Sequence, residues 1–227
     1  MRRLCVFLTI AGLALCSIVY ELILAQGLTL FLHNTVLRYS VTIGLYMFAL
    51  GFGSLAAEGR GAGAPLVRLQ QIELLLSVAG GFSVIFLFLF EAFAGAGLAF
   101  TLIAHALIVV IGFLSGFEVP LLMALSGRGK TESVSEHVVL ALNYAGAFAG
   151  TLVFAFVFYP RAGLIASALV VGLVNAIIGL ALRVIYKEEK SDSYIWVLQV
   201  VVLGLLAYYF WQEQAVGEYF INRYLQG

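Results

Sequence analysis

Seven long stretches of this chain are apolar on every face, without the alternation of polar and apolar positions that marks a half-buried strand. They cover residues 4–26, 36–57, 68–93, 98–125, 138–159, 164–185 and 194–212. A helix rises about 1.5 Å per residue, so about 20 apolar residues cross the roughly 30 Å hydrocarbon layer of a membrane. The pattern predicts an all-α fold, a polytopic transmembrane bundle of about seven helices.

The connections between these stretches are short, and several contain Gly or Pro. We therefore expect a single integral membrane domain over residues 1–227, ending in a short tail at 213–227. A transmembrane β-barrel would need alternating segments of about ten residues, which the chain lacks. The opening Met-Arg-Arg and the following apolar run suggest a signal peptide, but the run has no small-x-small cleavage site, so we expect a retained first helix.

Composition and charge extend this picture. The chain is 63% hydrophobic and 11% charged with a formal net charge of zero, so no overall field selects nucleic acid as a partner. Basic residues mark the cytoplasmic face of membrane proteins. Nine of the twelve fall on one side of the predicted bundle: Arg2, Arg3, Arg60, Arg68, Arg128, Lys130, Arg183, Lys187 and Lys190. This division predicts a bacterial inner-membrane protein with its amino terminus inside and its carboxyl terminus outside. We also expect the protein to contact the lipid bilayer and a protein partner or a second copy of itself.

Carboxylates inside the apolar stretches are the candidate functional groups, because an ionisable side chain in hydrocarbon costs several kcal/mol unless it is paired, protonated or hydrated. Three qualify, Glu21, Glu73 and Glu118, whereas Glu58 and Glu91 lie at helix ends that water can reach. Two interpretations stay open for the three. They could form interhelical hydrogen bonds worth about 1 kcal/mol each, or a site that handles protons or a ligand.

Depth along the predicted helices sorts the polar residues into two groups. Glu73 and Glu118 share the inner side with Asn143 and Tyr144, and Pro120 loosens the helix beside Glu118 because it cannot donate to the carbonyl four residues earlier. Glu21, the residue after the candidate Tyr20, belongs to an outer group. Its candidate partners are Gln26, Arg38, Tyr39 and Arg161.

No catalytic, metal or cofactor site is predicted. Cys5 and Cys16 lie too far apart along one helix for a disulfide, and the three histidines fall in different segments without ligand spacing. A nucleophile paired with a base is also missing.

Small residues predict where helices pack closely. Gly51 and Gly53 lie on the second stretch, and Gly146 and Gly150 form a GxxxG pair on the fifth. Such a pair serves helix dimers, but in a chain with seven helices to pack, a contact within the chain is the favoured use.

Several segments together resemble the spermidine synthase-like membrane proteins. Residues 12–26 (GLALCSIVYELILAQ), with the pair Tyr20 and Glu21, are similar to the first helix of that family, and residues 44–54 (GLYMFALGFGS) to its second. Residues 116–122 (GFEVPLL) resemble a G-x-x-x-P-L segment, 142–150 (LNYAGAFAG) an A-N-x-x-G-A-x-x-G helix, and 159–164 (YPRAGL) a P-x-x-G-L turn.

The resemblance implies that relatives continue into a soluble aminopropyltransferase domain, which binds decarboxylated S-adenosylmethionine and a polyamine. This chain shows no glycine-rich nucleotide-binding turn, so we expect a membrane part of the family without the catalytic domain. The predicted function is a non-catalytic multipass module that anchors or assembles with partners and binds a small cationic or amphiphilic ligand.

The alternative is a subunit of a transporter or channel for a polyamine-like cation. Residues 51–60 (GFGSLAAEGR) are similar to a loop of major-facilitator transporters, and six helices plus one would form a half-transporter with a 3+3 repeat.

Overall fold

Every regular element of the described residues is helical. The computed structural model describes residues 2–57, 64–128, 134–187, 189 and 192–226. The helices are α1 Arg2–Leu32, α2 Thr35–Ala57, α3 Pro65–Gly81, α4 Ser83–Ala94, α5 Leu98–Ser115, α6 Glu118–Arg128, α7 Glu136–Val153, a π-helical turn Phe154–Phe158, α8 Tyr159–Ile185, α9 Ser193–Trp211 and α10 Glu213–Gln226.

Two of the predicted helices are broken, and the predicted tail is a helix. The third stretch bends by 45° between α3 and α4, close to Gly80 and Gly81. The hydroxyl of Ser83 donates to the backbone carbonyl of Gly80 at 2.6 Å. Glycine and serine are common at such kinks. The predicted tail at 213–227 is corrected, because α10 occupies Glu213–Gln226.

The fourth stretch divides into α5 and α6 at the position that Pro120 predicts. Helix α5 ends at Ser115, and α6 begins at Glu118. Proline has no N–H to donate to the carbonyl of Gly116, so the α-helical ladder is interrupted there. The break places Glu118 in the first turn of α6, two residues before the proline.

Helix α1 lies at the centre of the fold, and its contacts set the direction of its neighbours. It runs antiparallel to α2, since Ser17 contacts Tyr46 and Gln26 contacts Tyr39. It runs parallel to α7, because successive small residues of α7 meet successive turns of α1. The tight link between α1 and α2 uses positive φ angles of 55° at residues 33 and 34.

The chain reverses direction at Gly163, a non-helical position within the first turns of α8. Helix α8 is antiparallel to α1, since Cys16 lies beside Val171 while the earlier Gly12 lies beside Ile178. The reversal needs Gly163, whose φ of 71° and ψ of −172° lie in a region that only glycine adopts readily.

The predicted number of membrane-spanning helices is corrected. In the described ranges, five helices are long and apolar enough to cross a membrane, or six if the bent pair α3 and α4 forms one span, judged by length and composition alone. Seven such spans were predicted. Glu58, Arg60, Lys130 and Lys190, which enter the predicted connections and charge division, lie outside the described residues.

Candidate functional site

Glu73 lies at the midpoint of α3 and is completely buried. Helix α8 packs against it so closely that a side chain at Gly179 would meet the Cβ of Glu73 at 3.2 Å. The side-chain amide of Asn175, also on α8, donates to the backbone carbonyl of Glu73 at 3.2 Å. The hydroxyl of Ser77 donates to the same carbonyl at 2.6 Å. These bonds hold the backbone of Glu73 and leave its carboxyl group unbonded.

Glu118 reaches the same interior from the start of α6. Its side chain is 3% exposed, and its carboxyl group interacts electrostatically with that of Glu73. Both carboxylates also interact with the thiol of Cys16 and the phenol of Tyr20, which are buried on α1. The break at Pro120 therefore brings an acidic side chain from a helix start toward the centre of the bundle.

Several polar atoms in this region are buried without a hydrogen-bond partner. They are both carboxyl oxygens of Glu73, Oε1 of Glu118, the hydroxyl of Tyr20, Oδ1 of Asn175 and Oε1 of Gln199. We call these five residues the interior cluster. The side-chain amide of Asn175 lies close enough to the Glu73 carboxyl group to favour its charged form, but it does not meet hydrogen-bond geometry with either oxygen. An unpaired buried polar atom costs about 1–3 kcal/mol, so such a concentration is unusual for packing alone.

The inner group predicted from sequence is only partly assembled. Glu73 and Glu118 are both buried and interact electrostatically, but Tyr144 is 71% exposed and takes no part. Asn143 is half-buried on α7, a helix that packs on α1, and the asparagine beside Glu73 is Asn175. The prediction of Asn143 and Tyr144 as partners is corrected, because α8 and not α7 covers α3.

The outer group also differs from the prediction. Gln26 accepts a hydrogen bond from the phenol of Tyr39 at 2.7 Å and donates to the phenol of Tyr159 at 2.8 Å, which links α1, α2 and α8. Glu21 does not join them. It is 7% exposed and interacts electrostatically with Tyr46, while the predicted partner Arg38 donates to the backbone carbonyl of His33.

Three of the four predicted packing glycines lie at helix contacts. A side chain at Gly53 would meet the backbone of Phe113 on α5, and side chains at Gly146 and Gly150 would meet the backbone of α1. Gly51 is corrected, since it is exposed and a Cβ added there would have no atom of a neighbouring element within 4 Å. The GxxxG pair thus makes a contact within the chain.

Sequence reasoning missed Asn175, Gln199 and Ser77. It also missed Tyr46, whose phenol donates to Ser115 at 2.9 Å and lies 3.0 Å from the backbone carbonyl of Ser17. The available signal was an uncharged polar residue within a long apolar stretch, such as Asn175 between Gly172 and Gly179. These amides and hydroxyls were not predicted because the candidates were selected mainly among ionisable side chains.

Comparison with known proteins gives a consistent set of relatives. The chain is 37% identical over 210 residues to polyamine aminopropyltransferase 1 of Streptomyces coelicolor, a match that covers 90% of this chain and 37% of that protein. It is 37% identical over 174 residues to polyamine aminopropyltransferase 2 of Ralstonia nicotianae, covering 75% and 33%. It is 30% identical over 195 residues to the polyamine aminopropyltransferase of Oceanobacillus iheyensis, covering 85% and 38%.

The similarity is long for this chain and partial for its relatives. This chain spans less than two fifths of the length of each of these three proteins. No family model matches the chain. No solved structure matches it either.

These relatives correct the predicted function. All three are named as enzymes that transfer aminopropyl groups, and none is named as an anchor, a transporter or a channel. The predictions of a non-catalytic module and of a transporter subunit are therefore overturned, as is the prediction that the chain represents the family without its enzymatic role.

The predicted integral membrane domain and its inner-membrane location are corrected with the function. The names of the relatives lend them no support, and the helices are membrane-like only in length and composition. The described residues form an all-helical fold with several long apolar helices.

Proposed function

We propose that this protein acts in the transfer of aminopropyl groups to polyamines, and that the present chain forms a helical part of that enzyme. The observation that carries the proposal is the 37% identity that extends over 90% of the chain. Similarity of this extent does not depend on one short motif. The resemblance of residues 12–26, 44–54 and 142–150 to the spermidine synthase-like proteins supports the same assignment.

The reaction sets requirements that the test can address. An unprotonated amine of the acceptor attacks the methylene carbon beside the donor's sulfonium, the carbon–sulfur bond breaks, and the electron pair stays on sulfur as a neutral thioether. The new ammonium then loses a proton. An enzyme for this reaction therefore has to hold a cationic acceptor and take up a proton from it.

The experiment measures transfer directly. The gene product in which this chain occurs is incubated with putrescine and decarboxylated S-adenosylmethionine, and spermidine is quantified by mass spectrometry. We expect spermidine formation that depends on both substrates. The Streptomyces coelicolor relative is assayed in parallel. The proposal would be overturned if this protein were folded and formed no spermidine under conditions in which the relative is active.

A genetic measurement gives an independent check. Deletion of the gene should lower the cellular ratio of spermidine to putrescine, and expression of the gene from a plasmid should restore it. An unchanged ratio in the deletion strain, in a cell with no second aminopropyltransferase gene, would contradict the proposed function.

A further inference from the structure

We propose that the interior cluster binds a primary ammonium group of a polyamine. The site is argued from the unpartnered atoms of Glu73, Glu118, Tyr20, Asn175 and Gln199, and the class of ligand rests on the proposed function. The notable feature is an excess of hydrogen-bond acceptors in a place that water does not reach.

The two amides show why acceptors remain. The Nδ2 group of Asn175 donates to the carbonyl of Glu73 at 3.2 Å, and the Nε2 group of Gln199 donates to the carbonyl of Ala176 at 3.3 Å. These bonds fix which end of each amide is the oxygen. The amide oxygens are then left unpartnered in side chains that are 0% and 1% exposed.

The carboxyl groups add two acidic side chains to this set. Glu73 is fully buried, Glu118 is 3% exposed, and the two interact electrostatically. Burial raises the pKa of Glu73 to about 8 and that of Glu118 well above its usual range, so without a cation both groups are held mainly protonated, and an ammonium group beside them would favour the charged carboxylates. In the described part of the chain, neither oxygen of Glu73 lies in hydrogen-bond geometry with a donor, although the amide of Asn175 lies nearby and favours the charged carboxylate.

A primary ammonium group meets these requirements better than a metal ion. It carries one positive charge and three N–H donors, which match carboxylate, amide and phenol oxygens. The described residues contain no group of three or more His, Cys, Asp or Glu side chains that could hold a metal ion. Buried apolar residues adjoin the cluster on the same helices, including Ile72 and Leu76.

The residues come from helices that are distant in sequence. Tyr20 is on α1, Glu73 on α3, Glu118 on α6, Asn175 on α8 and Gln199 on α9. Close packing of α3 on α8 at Gly81 and Gly172, and of α8 on α9 at Gly179, brings them together. With its three N–H donors, an ammonium group at this point would therefore bridge helices that are distant in the sequence.

The test is equilibrium binding of spermidine and putrescine to the purified gene product by isothermal titration calorimetry, with no aminopropyl donor present. We expect Glu73→Gln and Glu118→Gln to weaken binding about 10- to 100-fold, the loss typical of one charge-assisted hydrogen bond. The matched control is Glu136→Gln, since Glu136 is an exposed carboxylate in the first turn of α7. It should bind like the unchanged protein.

Several outcomes would overturn the site. Unchanged affinity in both Gln variants would do so, as would absence of polyamine binding by folded protein. If potassium chloride abolished spermidine binding while another salt at the same ionic strength did not, the site would bind a simple potassium ion and not an ammonium group. Melting temperatures of all variants show that they are folded. Because binding is measured without donor, an inactive protein that still binds spermidine through Glu73 would reject the proposed function and keep the site.

Discussion

Replacement of Gly146 by alanine tests the packing of α7 on α1. An alanine Cβ at this position would lie 2.8 Å from the backbone Cα and carbonyl carbon of Ala11 and closer still to its carbonyl oxygen. Ordinary contacts between carbon atoms are about 3.5–4.0 Å long, so the helices would have to separate by roughly 0.7 Å or more. Backbone atoms in the middle of a helix cannot rotate away as a flexible side chain can.

The expected effect follows from two opposing terms. Alanine favours a helix over glycine by about 1 kcal/mol, whereas overpacking in a well-filled interior costs about 1–3 kcal/mol. Because the obstacle is backbone, we expect the upper part of that range and a net loss of about 1–2 kcal/mol. For a chain of this size, that corresponds to a fall in melting temperature of about 2–8 °C.

A matched control separates the two terms. Gly51 is exposed on α2 with nothing within 4 Å of an added Cβ, so Gly51→Ala should keep only the favourable helix term. We expect its melting temperature to rise by a few degrees. Thermal unfolding followed by circular dichroism, with all proteins purified in the same conditions, measures both. If Gly146→Ala were as stable as Gly51→Ala, the close contact between α1 and α7 would be refuted.

Two further substitutions test single features of the fold. Tyr46→Phe removes the phenol hydroxyl that bonds Ser115 and Ser17, and should lower stability by about 1–3 kcal/mol because the hydroxyl of Ser115 stays buried without its donor; equal melting temperatures would contradict the bonds. Gly163→Ala should cost about 1–3 kcal/mol through its φ of 71° alone, since nothing lies within 4 Å of the new Cβ; denaturant unfolding that shows no loss would contradict the strained reversal.

The helical segments were predictable, and so were some of their breaks. Runs of apolar residues predicted helical stretches whose ends lie within six residues of those in the structure, and Pro120 predicted a loosened helix where the structure has a break before α6. The bend at Phe82 was not predicted, since glycine and serine occur in many straight helices as well. Helix α10 was not predicted because its sequence mixes polar and apolar residues and has no apolar stretch of membrane-spanning length.

The candidate site was only half predictable. Glu73 and Glu118 were identified because an ionisable residue in an apolar run is costly wherever it lies. Their partners were chosen by depth, and depth alone selected Asn143 where the structure has Asn175. Depth along a helix says nothing about the side of the helix that a residue faces.

By itself, the sequence determined the helical class, the approximate helix bounds and the presence of buried carboxylates, since all three follow from local composition. Only the tertiary structure decided which polar groups meet. A helix that is apolar on every face has no polar side to show its orientation, so its neighbours are selected by close fit, as at Gly172 and Gly179. The contact between Glu73 and Asn175 joins positions 102 residues apart, and it exists because α8 packs antiparallel on α3.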